Sequence, residues 1–350
     1  MNVFRARRYR PMKRQLLIAV VLILMGSQNA LAQRKCELDR PVTFAALGWE
    51  SNSFHTAVAG YIVREGYGCE VRDVPGSTLP LLVAMSTGDV DITMEVWKDN
   101  IREAWETAEN TGRVRDLGIN FADAVQGWFI PRYVQQGDPG RGIRAVAPDL
   151  KHVNDLPKYK EIFKDPQRPD KGRFYNCILG WGCEVANTNK LRAYGLIEHY
   201  TNYRPGSGNA LAEAITSSYQ QGKPILTYYW GPSWVLGKLD LVMLEEPAYE
   251  EAKWQQLSRT NGRSEATAYP SVEISIGVNT EFANAAPGIA EFLKKYRTSS
   301  AIVSDALAYL HDNKVSTPKE MAEYFLKTNE RIWTLWVPED VAQATKAALN

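Results

Sequence analysis

From Pro41 to Trp97 the chain alternates apolar runs with amphipathic stretches in the order strand, helix, strand, helix, strand. That order admits few folds, because parallel strands joined by helices form a buried sheet with right-handed crossovers. Residues 42–49 read as the first strand. Phe54, Val58, Tyr61 and Ile62 then fall on one helical face, and Gly66 or Gly68 ends the helix. Residues 69–74 read as the second strand, 78–87 as a helix with Pro80 in its first turn and Gly88 as its stop, and 90–96 as the third strand. Trp49 and Trp97 therefore stand at the carboxyl ends of strands one and three. In open α/β sheets a ligand crevice lies outside those ends.

The first 32 residues read as an export signal. Arg5, Arg7, Arg8, Arg10, Lys13 and Arg14 precede an apolar run at 15–26, and Ala30-Leu31-Ala32 has the small-x-small cleavage pattern. Cleavage is expected before Gln33. Gln33-Arg34-Lys35 ahead of Cys36 is not a lipobox, so no lipid anchor is expected, and no later stretch approaches spanning length. Taking the leader's six basic residues from the chain's 41 leaves 35, against 40 Asp and Glu, so the exported chain is acidic by five charges. That balance, with no Lys/Arg run, argues against a nucleic-acid partner. The four cysteines suit an oxidising compartment, which points to a periplasm. Cys177 and Cys183 pair by proximity. Cys36 and Cys69 then remain, and they precede neighbouring parallel strands on one sheet edge.

A second region follows. Residues 127–134 read as a long strand crossing out of the first lobe, and 271–278 as the returning one. Between them lie helices at 183–194 and 209–221 and a strand at 224–230 that again ends on a tryptophan, Trp230. From 279 onward the chain is mostly helical, with helices expected at 286–296, 301–311, 318–327 and 338–349. The expected architecture is a two-lobed α/β protein: 1–32 leader, 33–130 with 272–350 as lobe one, 131–271 as lobe two. The segment Cys177-Ile178-Leu179-Gly180-Trp181-Gly182-Cys183 places a tryptophan between two glycines in a small ring. Such a ring adds only about 2 kcal/mol of chain-entropy stabilisation. Its greater effect is to fix the direction of a partly exposed indole that something can stack on.

Gly-Asp-Val-Asp-Ile at 88–92 leading to Trp97, Gly-Trp-Gly-Cys at 180–183 and Tyr-Tyr-Trp-Gly-Pro-Ser-Trp at 228–234 occur in an order and spacing that resemble one family. It is the glycine betaine, proline betaine and choline substrate-binding proteins of bacterial ABC importers. The resemblance covers nearly all of the chain beyond the leader. It implies a type II periplasmic-binding-protein fold whose parallel-sheet lobes, joined by two crossings, close on a ligand in an aromatic cage. Carried over by position, the cage tryptophans are Trp97, Trp181 and Trp230. Choline-type members add a tryptophan after strand one, here Trp49, followed by the acidic Glu50. The partners implied are an ABC permease and its ATPase, with the binding protein itself a monomer without cofactor or metal. Lys98-Asp99-Asn100-Ile101 and Ser233 depart from residues usual in betaine binders, which leaves the ligand open.

The residues suit that chemistry. A quaternary ammonium donates no hydrogen bond, and it offers diffuse positive charge on a methylated surface. An indole face meets both properties at once, at about 2 kcal/mol per desolvated contact. Three such contacts with a held carboxylate worth about 1.5–3 kcal/mol approach the ~8.2 kcal/mol of a micromolar complex. For a ligand carboxylate the amides of Gly182 and Cys183, at a helix start, are the candidate donors. For a choline-like or amine ligand, Glu50 or Glu95 would instead meet positive charge. Trp128 reads as core, and Trp105, Trp234, Trp254, Trp333 and Trp336 as packing or surface residues. His55, His152, His199 and His311 are scattered without metal-ligand spacing, and no nucleophile elbow or phosphate loop is present, so an enzyme is not expected. Alternatives are a binder of carnitine or histidine, or a periplasmic sensory module.

Overall fold

The computed structural model describes Met1, residues 35–315 and residues 317–350. The expected leader and its cleavage site lie outside the described residues. Nine strands form one sheet: β1 Val42–Ala46, β2 Val71–Pro75, β3 Ile92–Val96, β4 Val114–Pro131, β5 Gly172–Tyr175, β6 Tyr200–Tyr203, β7 Leu226–Gly231, β8 Leu241–Met243 and β9 Val272–Asn279. Their order is β2-β1-β3-β9-β4-β7-β5-β6, with β8 beside β4. The sheet has two parallel wings, β2-β1-β3 and β7-β5-β6. The sheet as a whole is not parallel throughout, although the alternating strand-helix pattern alone suggests that it is. β9 runs antiparallel to both β3 and β4, and β7 and β8 run antiparallel to β4.

β4 belongs to both halves. Its residues 114–124 pair with β9, and residues 125–131 pair with β7 and β8. Only its last stretch is obvious in sequence, because Arg115, Asp116, Asn120 and Asp123 interrupt the apolar pattern before it. Register against β9 shifts between Asp116 and Ile119, Ile119 and Phe121, and Phe121 and Ala124. Such bulges bend a strand and raise its twist, and Gly118 supplies the positive φ of 107° at the first of them.

The helices lie close to where periodicity puts them. Glu50–Tyr61 (α1) packs beneath β1 and β3 with Phe54, Val58 and Ile62 fully buried, and Thr78–Thr87 (α2) stops at Gly88 in the left-handed region. Arg102–Asn110 (α3) follows β3. Gly182–Ala193 (α4) begins inside the small disulfide ring, and Gly208–Gln220 (α5) is capped by Ser207 accepting from the Ala210 amide. The C-terminal helices Ser300–Asp312, Pro318–Thr328 and Glu339–Leu349 return to the first wing, where Pro318–Thr328 lies on α1.

Both disulfides are formed, Cys36–Cys69 and Cys177–Cys183, closing 33 and 6 residues of separation. Loop-closure entropy makes the first worth about 4 kcal/mol and the second about 2. In denaturant unfolding, Cys36→Ser with Cys69→Ser is expected to lose about twice the stability lost by Cys177→Ser with Cys183→Ser. Equal losses would show that the small ring contributes packing beyond its entropy.

Candidate functional site

Strand alternation sends Thr93, Glu95 and Trp97 to one side of β3 and its end. Glu95 is buried, and its Oε2 accepts from two indoles, Trp49 Nε1 at 2.7 Å and Trp97 Nε1 at 3.0 Å. One carboxylate thus holds both tryptophans of the first wing. Burial raises the Glu95 carboxyl above its ordinary value, and the two indole N–H groups and Ser51 oppose that shift.

The second wing contributes Trp181 and Trp230. Trp181 sits in extended conformation immediately before α4, and Trp230 ends the fully buried β7. The Trp181 ring stands nearly perpendicular to Trp49, at 76° and 4.9 Å between centroids, and to Trp230, at 84° and 5.4 Å. Two flanking walls at right angles to a third make three sides of a box. Tyr229 stacks on Trp230 at 4.5 Å, with Tyr228 at 6.0 Å, and the Tyr228 hydroxyl donates to Gln126 Oε1.

Trp49, Thr78, Glu95, Trp97, Asn100 and Ile101 from the first wing meet Trp181, Gly182, Cys183, Tyr228 and Trp230 from the second around one cavity. Its free volume is about 30 Å³, room for little more than water, so the walls must part to admit a ligand. Among the described residues lining it there is no Lys, Arg or His. Of the eight ligand-contact candidates named from sequence, seven line this cavity. Glu50 does not: its Oε1 accepts from Trp234 Nε1 at 2.5 Å, and burial raises its carboxyl against that bond. Trp181 is 6 % exposed, so its indole is enclosed and not partly exposed as expected. The closing of the two wings over it is the reason. Thr78, Asn100, Ile101 and Tyr228 also line the cavity, though none was among the ligand-contact candidates. Only the position of 100–101 just beyond Trp97 hinted at them.

Three glycines of the second wing meet the first where no side chain fits. A Cβ on Gly182 would lie 2.6 Å from the Asn100 carbonyl oxygen and from Ile101 Cγ2. One on Gly180 would lie 2.5 Å from Ser77 Oγ, and one on Gly208 would lie 2.9 Å from the Gly48 carbonyl oxygen. Polar bonds flank this seam. Trp234, bonded to Glu50, stacks on His311 at 3.7 Å, and Lys238 pairs with Asp312. On the other side Trp254 Nε1 donates to the Asp99 carbonyl at 2.9 Å, and Arg102 pairs with Glu251 at 2.9 Å. Trp234 and Trp254, which read as packing or surface residues, thus join the two wings. Trp128 is fully buried, its Nε1 donating to Asn187.

Two α/β wings sharing a strand and closing over an aromatic box define a solute-binding protein of the two-lobed periplasmic type. The family described as the substrate binding domain of ABC-type glycine betaine transport systems (OpuAC) matches residues 40–328, and the chain belongs to it. The chain is 23% identical over 318 residues to a trimethylamine N-oxide-binding protein of Pelagibacter ubique, covering 91% of this chain and 96% of that one. It is 26% identical over 267 residues to a glycine betaine/proline betaine-binding periplasmic protein of Escherichia coli, covering 74% and 77%. Among solved structures, an ABC-transporter choline-binding protein in complex with choline superposes with a TM-score of 0.71 at 16% identity, over 89% of this chain and 98% of that one. Lactococcal OpuAC, closed on glycine betaine, gives 0.65 at 18% identity over 86% and 100%. The family consists of transport proteins that bind a substrate, and among the described residues no helix is long and apolar enough to cross a membrane.

Proposed function

We propose that the chain, exported and cleaved after Ala32, captures a small methylated-amine cation in the box of Trp49, Trp97, Trp181 and Trp230 and hands it to an ABC permease and its ATPase. The observation that carries this reading is the perpendicular set of indole walls drawn from both wings. Lobe one, 33–130 with 272–350, supplies Trp49 and Trp97; lobe two, 131–271, supplies Trp181 and Trp230. Indole faces suit a cation with no hydrogen to donate. The relatives' names, which include trimethylamine N-oxide, glycine betaine and choline, fit the same chemistry.

Within that class, the lining favours a ligand without a free carboxylate. The ionisable side chain on the wall is Glu95, and among the described lining residues there is no cationic group to meet a carboxylate. A zwitterion would have to rely on the Gly182 and Cys183 amides at the start of α4 for its anionic end.

The test is calorimetric titration of the exported chain with choline, trimethylamine N-oxide, glycine betaine, proline betaine, carnitine and histidine. Micromolar or tighter binding of at least one methylated amine is expected, with choline or trimethylamine N-oxide ahead of glycine betaine, and none of histidine. Binding of histidine alone, or of no methylated amine, would overturn the reading.

A further inference from the structure

We propose that His55 and Glu95 form a proton-holding pair behind the box, so that capture of a fixed cation expels one proton. This rests on the cation-binding reading above and adds to it a residue, His55, that does not line the cavity.

Glu95 Oε1 and His55 Nε2 are both buried with no hydrogen bond at normal distance and face each other at 3.9 Å, and the Ser51 hydroxyl, also unpartnered, stands beside Glu95 as a second donor to it. Two orphaned polar atoms in one dry place are costly unless something joins them. The gap is about 1 Å beyond a hydrogen bond, a distance that a small rotation of either side chain closes. A single proton between them satisfies both atoms. The other ends of the pair are anchored: Glu95 Oε2 by the indoles of Trp49 and Trp97, and His55 Nδ1 by the Tyr296 hydroxyl at 2.8 Å.

The surroundings isolate the pair. From α1 itself Phe54 meets the His55 ring and Ser51 stands by Glu95. From β4, Phe121 stacks on the His55 ring at 5.5 Å, and Tyr296, after the helix Pro287–Lys295, meets it edge-on. Across the cavity stand Trp181, Tyr228 and Trp230, all uncharged. The next carboxyl along the chain, Glu50, is held by Trp234. Burial pushes Glu95 up and holds His55 down to about 3. Burial thus disfavours an imidazolium and favours the proton on the carboxyl in the empty box.

Two states follow, each joining Glu95 Oε1 to His55 Nε2 and His55 Nδ1 to Tyr296. In the empty box Glu95 is protonated and donates through Oε1 to His55 Nε2, while His55 Nδ1–H donates to the Tyr296 oxygen. With a cation in the box Glu95 is ionised, His55 carries its proton on Nε2 and donates to Oε1, and the Tyr296 hydroxyl donates to Nδ1. Glu95, His55 and Tyr296 together hold three such protons in the first state and two in the second. One proton leaves for solvent, and the site keeps the same net charge empty or filled.

For choline, whose charge does not titrate, linkage requires affinity to fall as pH drops. The fall approaches tenfold per unit below the pair's pKa, which lies above the ordinary carboxylate value, and affinity levels off above it. Calorimetry of choline binding between pH 5 and 8, in buffers of different ionisation enthalpy, should show proton release rising toward one at the acid end. Glu95→Gln should bind more weakly and with no pH dependence. Glu50→Gln should keep the slope, which separates the two buried carboxyls. Nitrogen-15 spectra should move His55 from the Nδ1–H to the Nε2–H tautomer on adding choline, and also in the ligand-free protein as pH rises, with His55→Gln giving the assignment. Choline affinity that is flat with pH, no proton release, or one unchanged tautomer would overturn the pair while leaving the box intact. Failure of every methylated amine to bind would remove the box, and the proton exchange with it.

Discussion

Trp181→Ala is expected to weaken binding of choline, or of whichever methylated amine binds best, by roughly a hundredfold or more. Trp181 touches two of the other proposed walls at right angles, so its removal takes away one face and lets water reach the rest. A desolvated cation–π contact of about 2 kcal/mol with the apolar contact around it makes about 3 kcal/mol, and each 1.4 kcal/mol is about tenfold. Stability should fall by less than for a core tryptophan such as Trp128, which is fully buried. Calorimetry, with a thermal melt to show the fold intact, measures both. Unchanged affinity in a folded Trp181→Ala protein would remove this ring from the site.

Gly182→Val is expected to cost affinity chiefly by blocking closure of the wings. Its Cβ would stand 2.6 Å from atoms of Asn100 and Ile101, about 1 Å inside normal contact, and overpacking of this kind costs about 1–3 kcal/mol. The least costly relief is to hold the wings apart. Affinity should fall about 10- to 100-fold, with the melting temperature of the ligand-free protein little altered. Small-angle scattering should show a larger radius with saturating ligand than for wild type. Gly206→Ala provides the control, since a Cβ there meets nothing within 4 Å. If Gly182→Val binds and compacts like wild type, the glycine seam does not govern closure.

Much of this was legible in the chain. The helix starts at Thr78 and Gly208 and the stop at Gly88 carry local signals that tertiary packing does not override. The buried wing strands read as apolar runs because both of their faces are covered. What could not be read depends on contacts between distant segments. β4 begins at Val114 among charged residues, because part of that stretch lies at the surface where the wings join. Trp234 and Trp254 resemble packing residues until their indole N–H groups are seen to reach Glu50 and Asp99. His55 is an isolated histidine on an apolar helix, and nothing within forty residues of it in sequence signals Glu95 on β3.

The walls of the proposed box are joined unequally. Glu95 ties Trp49 to Trp97 within lobe one, Trp181 meets Trp230 within lobe two, and Trp49 meets Trp181 across the divide. Both lobes share the bulged strand β4. The box is therefore expected to part as two stiff corners on a leaf spring, with no wall peeling away alone. A bound cation would lose half its contacts at one stroke, and no cargo, however weakly held, would escape faster than the strand can flex. Stopped-flow dissociation rates that converge on a common ceiling for several weak ligands would show that spring at work; rates rising without limit as affinity falls would argue against it.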